Sequence, residues 1–104
     1  MNQYREQLGP RPLGVESELS ALAREHSVAM AKTGRLSHDG FPLRVRRSGY
    51  RMCVENVGWN YGTSDAQLGG WRRSPGHDRN LLDERVTRMG IGVASDYVTF
   101  IACQ

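Results

Sequence analysis

Met89-Gly90-Ile91-Gly92-Val93-Ala94, then Ser95-Asp96, then Tyr97-Val98-Thr99-Phe100-Ile101-Ala102-Cys103 is the stretch that decides the fold. In an extended chain successive side chains point to opposite faces. Met89, Ile91 and Val93 therefore make one face bulky, while Gly90, Gly92 and Ala94 leave the other nearly bare. A bare strand face lets a helix or another backbone come close. Ser95-Asp96 supplies a turn, and Tyr97 to Cys103 returns as the partner strand of a hairpin.

A long amphipathic helix is read upstream. Val15, Leu19, Leu22, Ala23, His26, Ala29 and Met30 recur at helical spacing and form one apolar stripe. Glu16 and Glu18 fall in its first turn, where the helix dipole favours acids, Lys32 lies near its end, and Gly34 is placed to cap it. A shorter helix is expected from Gln3 to Leu8, ending at Gly9-Pro10. Beyond the polar loop Leu36-Ser37-His38-Asp39-Gly40, Phe41 to Ser48 reads as an Arg-rich helix with an early proline, Pro42, closed by Gly49. Met52 to Trp59 reads as a strand whose Cys53, Glu55 and Val57 share a face. Ser64-Asp65-Ala66-Gln67 resembles a capping box opening a helix that turns Leu68 and Trp71 inward. Ser74-Pro75-Gly76-His77 reads as an N-cap, a proline at the first helical position and a histidine in the first turn, with Leu81 and Leu82 as anchors. Helices come first and strands mostly later. The predicted class is α+β, with helices packed on a small antiparallel sheet of about three strands.

Length and composition bound the rest. A chain of 104 residues holds one domain, 1–104, around one core. No apolar run approaches a membrane span, and MNQYREQLGP has no apolar leader region, so the chain is either cytosolic or a secreted form whose leader has been removed. The net charge is +3, carried by thirteen arginines and one lysine. Only Arg44, Arg46, Arg47 and Arg51 cluster, with Tyr50 as the sole stacking aromatic among them, which argues against a nucleic-acid surface.

Three histidines differ in setting. His26 lies within the apolar stripe and reads as a satisfied core residue, whereas His38 and His77 stand at element boundaries in polar, glycine-bearing surroundings. Glu55 interrupts a mixed apolar strand and must face solvent, a cleft or a partner. An edge-strand charge that discourages aggregation is the competing explanation. His77 at a helix N-terminus favours the neutral imidazole that a metal ligand or a general base requires. Two imidazoles and one carboxylate suit Zn²⁺ or another divalent cation with a position left open. No HExxH, CxxC, GxSxG, P-loop or GxGxxG accompanies them. Cys53 begins one strand and Cys103 ends another, so the pair forms either a disulfide or two unrelated thiols. A thiol hydrolase of Cys53 and His77 competes with the bridge. The bridge is the expectation, because it closes a loop of about fifty residues and adds roughly 4 kcal/mol in the chain-entropy model. With it comes an oxidising compartment and a secreted or periplasmic location.

His26-Ser27-Val28-Ala29-Met30-Ala31, Leu36-Ser37-His38-Asp39-Gly40, Gly49-Tyr50, Glu55-Asn56-Val57, Trp71, Ser74-Pro75-Gly76-His77-Asp78-Arg79-Asn80-Leu81-Leu82 and Met89-Gly90-Ile91-Gly92-Val93-Ala94 follow one another in an order that resembles the bacterial-type branch of the CAP (SCP/TAPS) superfamily. The resemblance covers essentially the whole chain. It implies an α-β-α sandwich, mostly extracellular members, and a central cleft of two histidines and two acids that holds a divalent cation in some of them. His38, Glu55 and His77 match three of the four. The fourth, an acid, falls at Ser74, which has no carboxylate. Functions implied by the resemblance range over sterol and fatty-acid binding, host or defence interactions and proteolysis, and a shared fold does not choose among them. The first expectation is a secreted, monomeric binding module whose cleft takes a metal or a small apolar ligand, or whose surface engages an extracellular protein. The second is a metal-assisted hydrolase with His38 and His77 as ligands and Glu55 as base. The third is a structural or host-interaction surface protein.

Overall fold

The structure, a computed structural model, describes residues 2–60 and 62–104. In chain order the elements are α1 (Asn2–Leu8), β1 (Gly14–Val15), α2 (Ser17–Thr33), α3 (Phe41–Ser48), β2 (Cys53–Trp59), α4 (Ser64–Arg72), α5 (Pro75–Leu81), β3 (Arg88–Ala94) and β4 (Tyr97–Cys103). The sheet has four strands in the order β1-β3-β4-β2. β2, β4 and β3 are antiparallel neighbours, and β1 runs parallel to β3 through Gly14↔Arg88 and Val15↔Met89.

The class is α+β as predicted, with one strand more than expected. The sequence places Val15 in the apolar stripe of the long helix. In the structure it precedes that helix and is 72% exposed. Its segment is drawn onto the sheet by its backbone, through Gly14 N–H to Thr87 O at 3.0 Å and Glu16 N–H to Met89 O at 2.9 Å. Ala29 is likewise exposed, so the buried stripe of α2 is Leu19, Leu22, Ala23, His26, Ser27 and Met30. Gly34 closes α2 in the left-handed conformation, φ 67°, with its N–H on Met30 O. The cap of α4 lies one residue earlier than the capping-box reading, at Thr63, whose hydroxyl accepts from Ala66 N–H at 3.1 Å.

α2 lies directly on the bare face of the hairpin. A Cβ at Gly90 would stand 2.2 Å from the Leu19 carbonyl carbon, and one at Gly92 2.1 Å from Arg24 N. Backbone cannot yield as a flexible side chain does, so no side chain fits between helix and strand at either position. Leu19, Leu22 and Ala23 pack there on Ile101 and Cys103. The opposite face carries α1, α4 and α5, whose Tyr4, Trp71 and Leu81 cluster with Met89, Phe100 and Ala102. Two helical layers thus enclose the sheet as an α-β-α sandwich, and complete burial of Leu19, Leu81, Phe100 and Ile101 stabilises it by about 1.5–3 kcal/mol each. Buried Arg5 ties α1 to the end of α5, donating from Nη1 to Leu81 O and Asp83 O, both at 3.0 Å. Cys53 and Cys103 face each other across β2 and β4 and are joined by a disulfide, with Cα atoms 4.0 Å apart.

Candidate functional site

β2 is an edge strand, and alternation along it sends neighbouring residues into different layers. Glu55 points toward the α2–α3 layer and Asn56 toward α4 and α5. The Glu55 side chain is only 1% exposed. A carboxylate so placed is costly unless its oxygens are satisfied. Arg44 of α3 satisfies them with a two-pronged grip, Nε to Oε2 at 2.7 Å and Nη2 to Oε1 at 2.7 Å. The same guanidinium reaches back to the preceding loop, donating from Nη1 to Asp39 O at 2.7 Å. His38 completes the group with Nδ1 to Glu55 Oε1 at 2.9 Å. An ionised carboxylate only accepts, so Nδ1 carries the proton, on a ring that is half exposed.

His77 approaches from the other layer. It lies in the first turn of α5, its carbonyl accepts from Asn56 Nδ2 at 3.0 Å, and its Nδ1 meets Ser74 Oγ at 3.0 Å. Ser74 therefore stands at the N-cap position but gives no side-chain cap; its hydroxyl holds the imidazole instead. Burial pushes the His77 pKa below the ordinary histidine value, and the charge of His38 adds to the depression. The shift runs in the direction expected from the sequence, toward the neutral ring, with desolvation as its leading cause. The charge of His38 acts on His77, but of the two only His38 bonds to Glu55. His26 is buried with Nε2 on Ser37 O at 2.6 Å, the satisfied core histidine the stripe predicts.

Two outward carbonyls of β2, those of Glu55 and Val57, accept from side chains. Asn80 Nδ2 donates to Glu55 O at 3.2 Å and to Asn56 Oδ1 at 2.9 Å, and Trp71 Nε1 donates to Val57 O at 3.1 Å. Arg44, Ser74 and Asn80 were not singled out as functional by motif. The signal for Arg44 was available in the helical spacing of Phe41, Arg44, Val45 and Ser48, the least exposed positions of α3. Among the described residues no group of three or more His, Cys, Asp or Glu side chains is disposed to hold a metal ion.

A mostly apolar cavity lies elsewhere. A groove of about 300 Å³ opens between α4 and the β3–β4 hairpin, floored by Leu68, Trp71, Ile91, Val93 and Val98. None of His38, Glu55 and His77 lines it.

The model of the cysteine-rich secretory protein family, CAP, matches residues 1–104. The chain belongs to the CAP family. Among sequences, this CAP chain is 29% identical over 98 residues to YkwD of Bacillus subtilis (strain 168), covering 88% of this chain and 38% of that protein. Among solved structures it matches an extracellular protein containing an SCP domain from Bacillus anthracis str. Ames, at a TM-score of 0.93 and 27% identity, over 99% of this chain and 37% of that one. An outer surface protein of Borrelia burgdorferi shares the fold at a TM-score of 0.87 and 16% identity, over 99% of this chain and 85% of that one. The CAP chain thus spans well under half the length of YkwD and of the Bacillus anthracis protein. No helix among its described residues is long and apolar enough to cross a membrane.

Proposed function

We propose that this chain is a single secreted or periplasmic CAP binding domain, monomeric and without turnover, whose ligand seats in the groove beside Trp71. The observation that carries this is the state of Glu55. Arg44 and His38 together donate three hydrogen bonds to a carboxylate only 1% exposed, which leaves it little access to a metal or to a reacting proton. The donor set does not suit a divalent cation. With Glu55 committed, two imidazoles remain, and Ser74 replaces the further acid, whereas zinc sites take at least three protein ligands as a rule. The cluster acts instead as a brace that fastens the His38–Asp39 loop and α3 to β2. The apolar groove is the concave, mostly apolar surface that small ligands ordinarily occupy. An extracytoplasmic location is supported by the disulfide and by the extracellular and outer-surface relatives.

A hydrolase remains the second reading, on one observation: Glu55 holds the half-exposed His38 ring at Nδ1, as an orienting acid holds a general base. One set of titrations separates the two. Calorimetry with Zn²⁺ is expected to show no saturable uptake. The neutral dye N-phenyl-1-naphthylamine is expected to bind saturably, with loss on Ile91→Asp. Stoichiometric zinc held by His38 and His77 contradicts the proposal. So does peptide or ester hydrolysis that vanishes in Glu55→Gln while the fold persists.

A further inference from the structure

The groove beside Trp71 is graded along its length. Asp65, Leu68 and Trp71 follow one another along α4 and contribute to one wall. Asp96, Val93 and Ile91 follow one another back from the tip of the hairpin and contribute to the other. The two walls run in the same direction. At one end Asn60 N–H, on the segment that leads into α4, donates to Asp96 O at 2.9 Å and ties that segment to the hairpin tip. At the other end Trp71 packs on Phe100, with ring centres 6.1 Å apart, and Phe100 is the partner of Ile91 in the sheet. Both acids therefore lie toward the hairpin tip, and the apolar surface extends away from them.

The charge at that tip is not answered from within. Neither carboxylate bonds to a side chain among the described residues, and no described basic side chain lines the groove, in a chain whose net charge is +3. Arg72 and Arg73, at the end of α4, are engaged outside it, Arg72 at 4.3 Å over the Tyr4 ring and Arg73 against Gly69. The positive end of α4 offsets only about half an elementary charge. The volume of about 300 Å³ lies at the small end of ligand sites, so it suits one short hydrocarbon body and not a two-chain lipid.

We propose that the groove takes a cationic amphiphile, a single-chain amine whose ammonium lies at Asp65 and Asp96 and whose hydrocarbon body runs along Leu68, Val93 and Ile91 toward Trp71. Burial of apolar surface supplies the affinity and carries no preference for charge. The two carboxylates supply the preference. Both are exposed, so attraction of an ammonium and repulsion of a carboxylate each give a severalfold effect, together about tenfold. The proposal rests on the groove as the binding surface and names the chemical class that surface takes.

The probes are octylammonium, octanol and octanoate, which share one chain and differ in the head. They are titrated by calorimetry at pH 7 and low salt, with displacement of N-phenyl-1-naphthylamine as the check on site. Octylammonium is expected to displace the dye, and to bind severalfold more tightly than octanol and at least tenfold more tightly than octanoate. Asp65→Asn with Asp96→Asn, both at exposed positions, is expected to bring octylammonium to within about twofold of octanol, and so is high salt. In NMR spectra the amide shifts of Asp65 and Asp96 are expected to distinguish octylammonium from octanol, while those of Leu68 and Ile91 are common to both. Octanoate binding as tightly as octylammonium, a preference that survives the double substitution, or octylammonium bound without displacing the dye overturns the proposal. Binding of dye and octanol with no preference for the ammonium removes this proposal and leaves the groove as the binding surface; absence of binding by the dye and by all three probes removes both.

Discussion

The edge at β2 and the edge at β3 belong to one sheet, yet side chains meet backbone carbonyls at the first and not, among the described residues, at the second. At β2, carbonyls that point away from the sheet meet Asn80 and Trp71, and the charged side chain on its inner face is gripped by Arg44. At β3, a two-residue strand covers the beginning and leaves Ile91 and Val93 bare. The family resemblance draws attention to the first edge, because its histidines and acid are the residues with chemical names. Physical bookkeeping draws it to the second. A saturated polar cluster has spent its bonding capacity on the fold, whereas the apolar wall beside the other edge still has surface to bury against a ligand.

The contrast is broken most severely by removing the grip at β2. Arg44→Met leaves the Glu55 carboxylate buried without its partner and will destabilise the domain by about 3–5 kcal/mol, read by urea unfolding. Asn80→Ala comes next. It strips a donor from Glu55 O and from Asn56 Oδ1 and will lower stability by about 1–3 kcal/mol in the same measurement.

His77 sharpens the comparison through pH. Its folded pKa is depressed by burial and by His38, so the unfolded chain takes up the proton first as pH falls. Its contribution is therefore complete above the unfolded pKa of about 6.5 and is lost progressively below it. Unfolding midpoints measured from pH 8 to 5 will fall, and His77→Gln will flatten that part of the profile. The smallest effect belongs to the edge at β3. Val93→Lys touches no packed core and will change stability by no more than about 0.5 kcal/mol.

What the sequence disclosed, and what it withheld, follows the range of the forces involved. α3 over Phe41–Ser48, the start of β2 at Cys53, Pro75 at the head of α5 and the Ser95-Asp96 turn are all set by neighbours in the chain, and all were legible. So was the close approach of some neighbour to Gly90 and Gly92, because a face without side chains admits one; that the neighbour is α2 was not. β1 was not legible, since two residues carry no periodicity and Val15 continued a helical stripe by coincidence of spacing. His38 and His77 stood out at element boundaries, Glu55 as a charge within a strand, and all three through the family likeness. The pairing that governs them was hidden, because Arg44 and Glu55 lie on different elements and meet only through tertiary packing. The groove was hidden for a related reason: it exists where α4 and α5 stop covering the hairpin, and no local pattern records where a neighbouring layer ends.

The central claim is that Arg44 and Glu55 form a structural unit and not half of a reaction centre. A double-mutant cycle by urea unfolding, with Arg44→Met, Glu55→Leu and the two combined, tests it most directly. The account predicts that the combined variant recovers most of the stability each single variant loses, a coupling of about 3 kcal/mol, because two apolar side chains replace a buried pair at little net loss. Losses that simply add, with each residue acting alone, would contradict it.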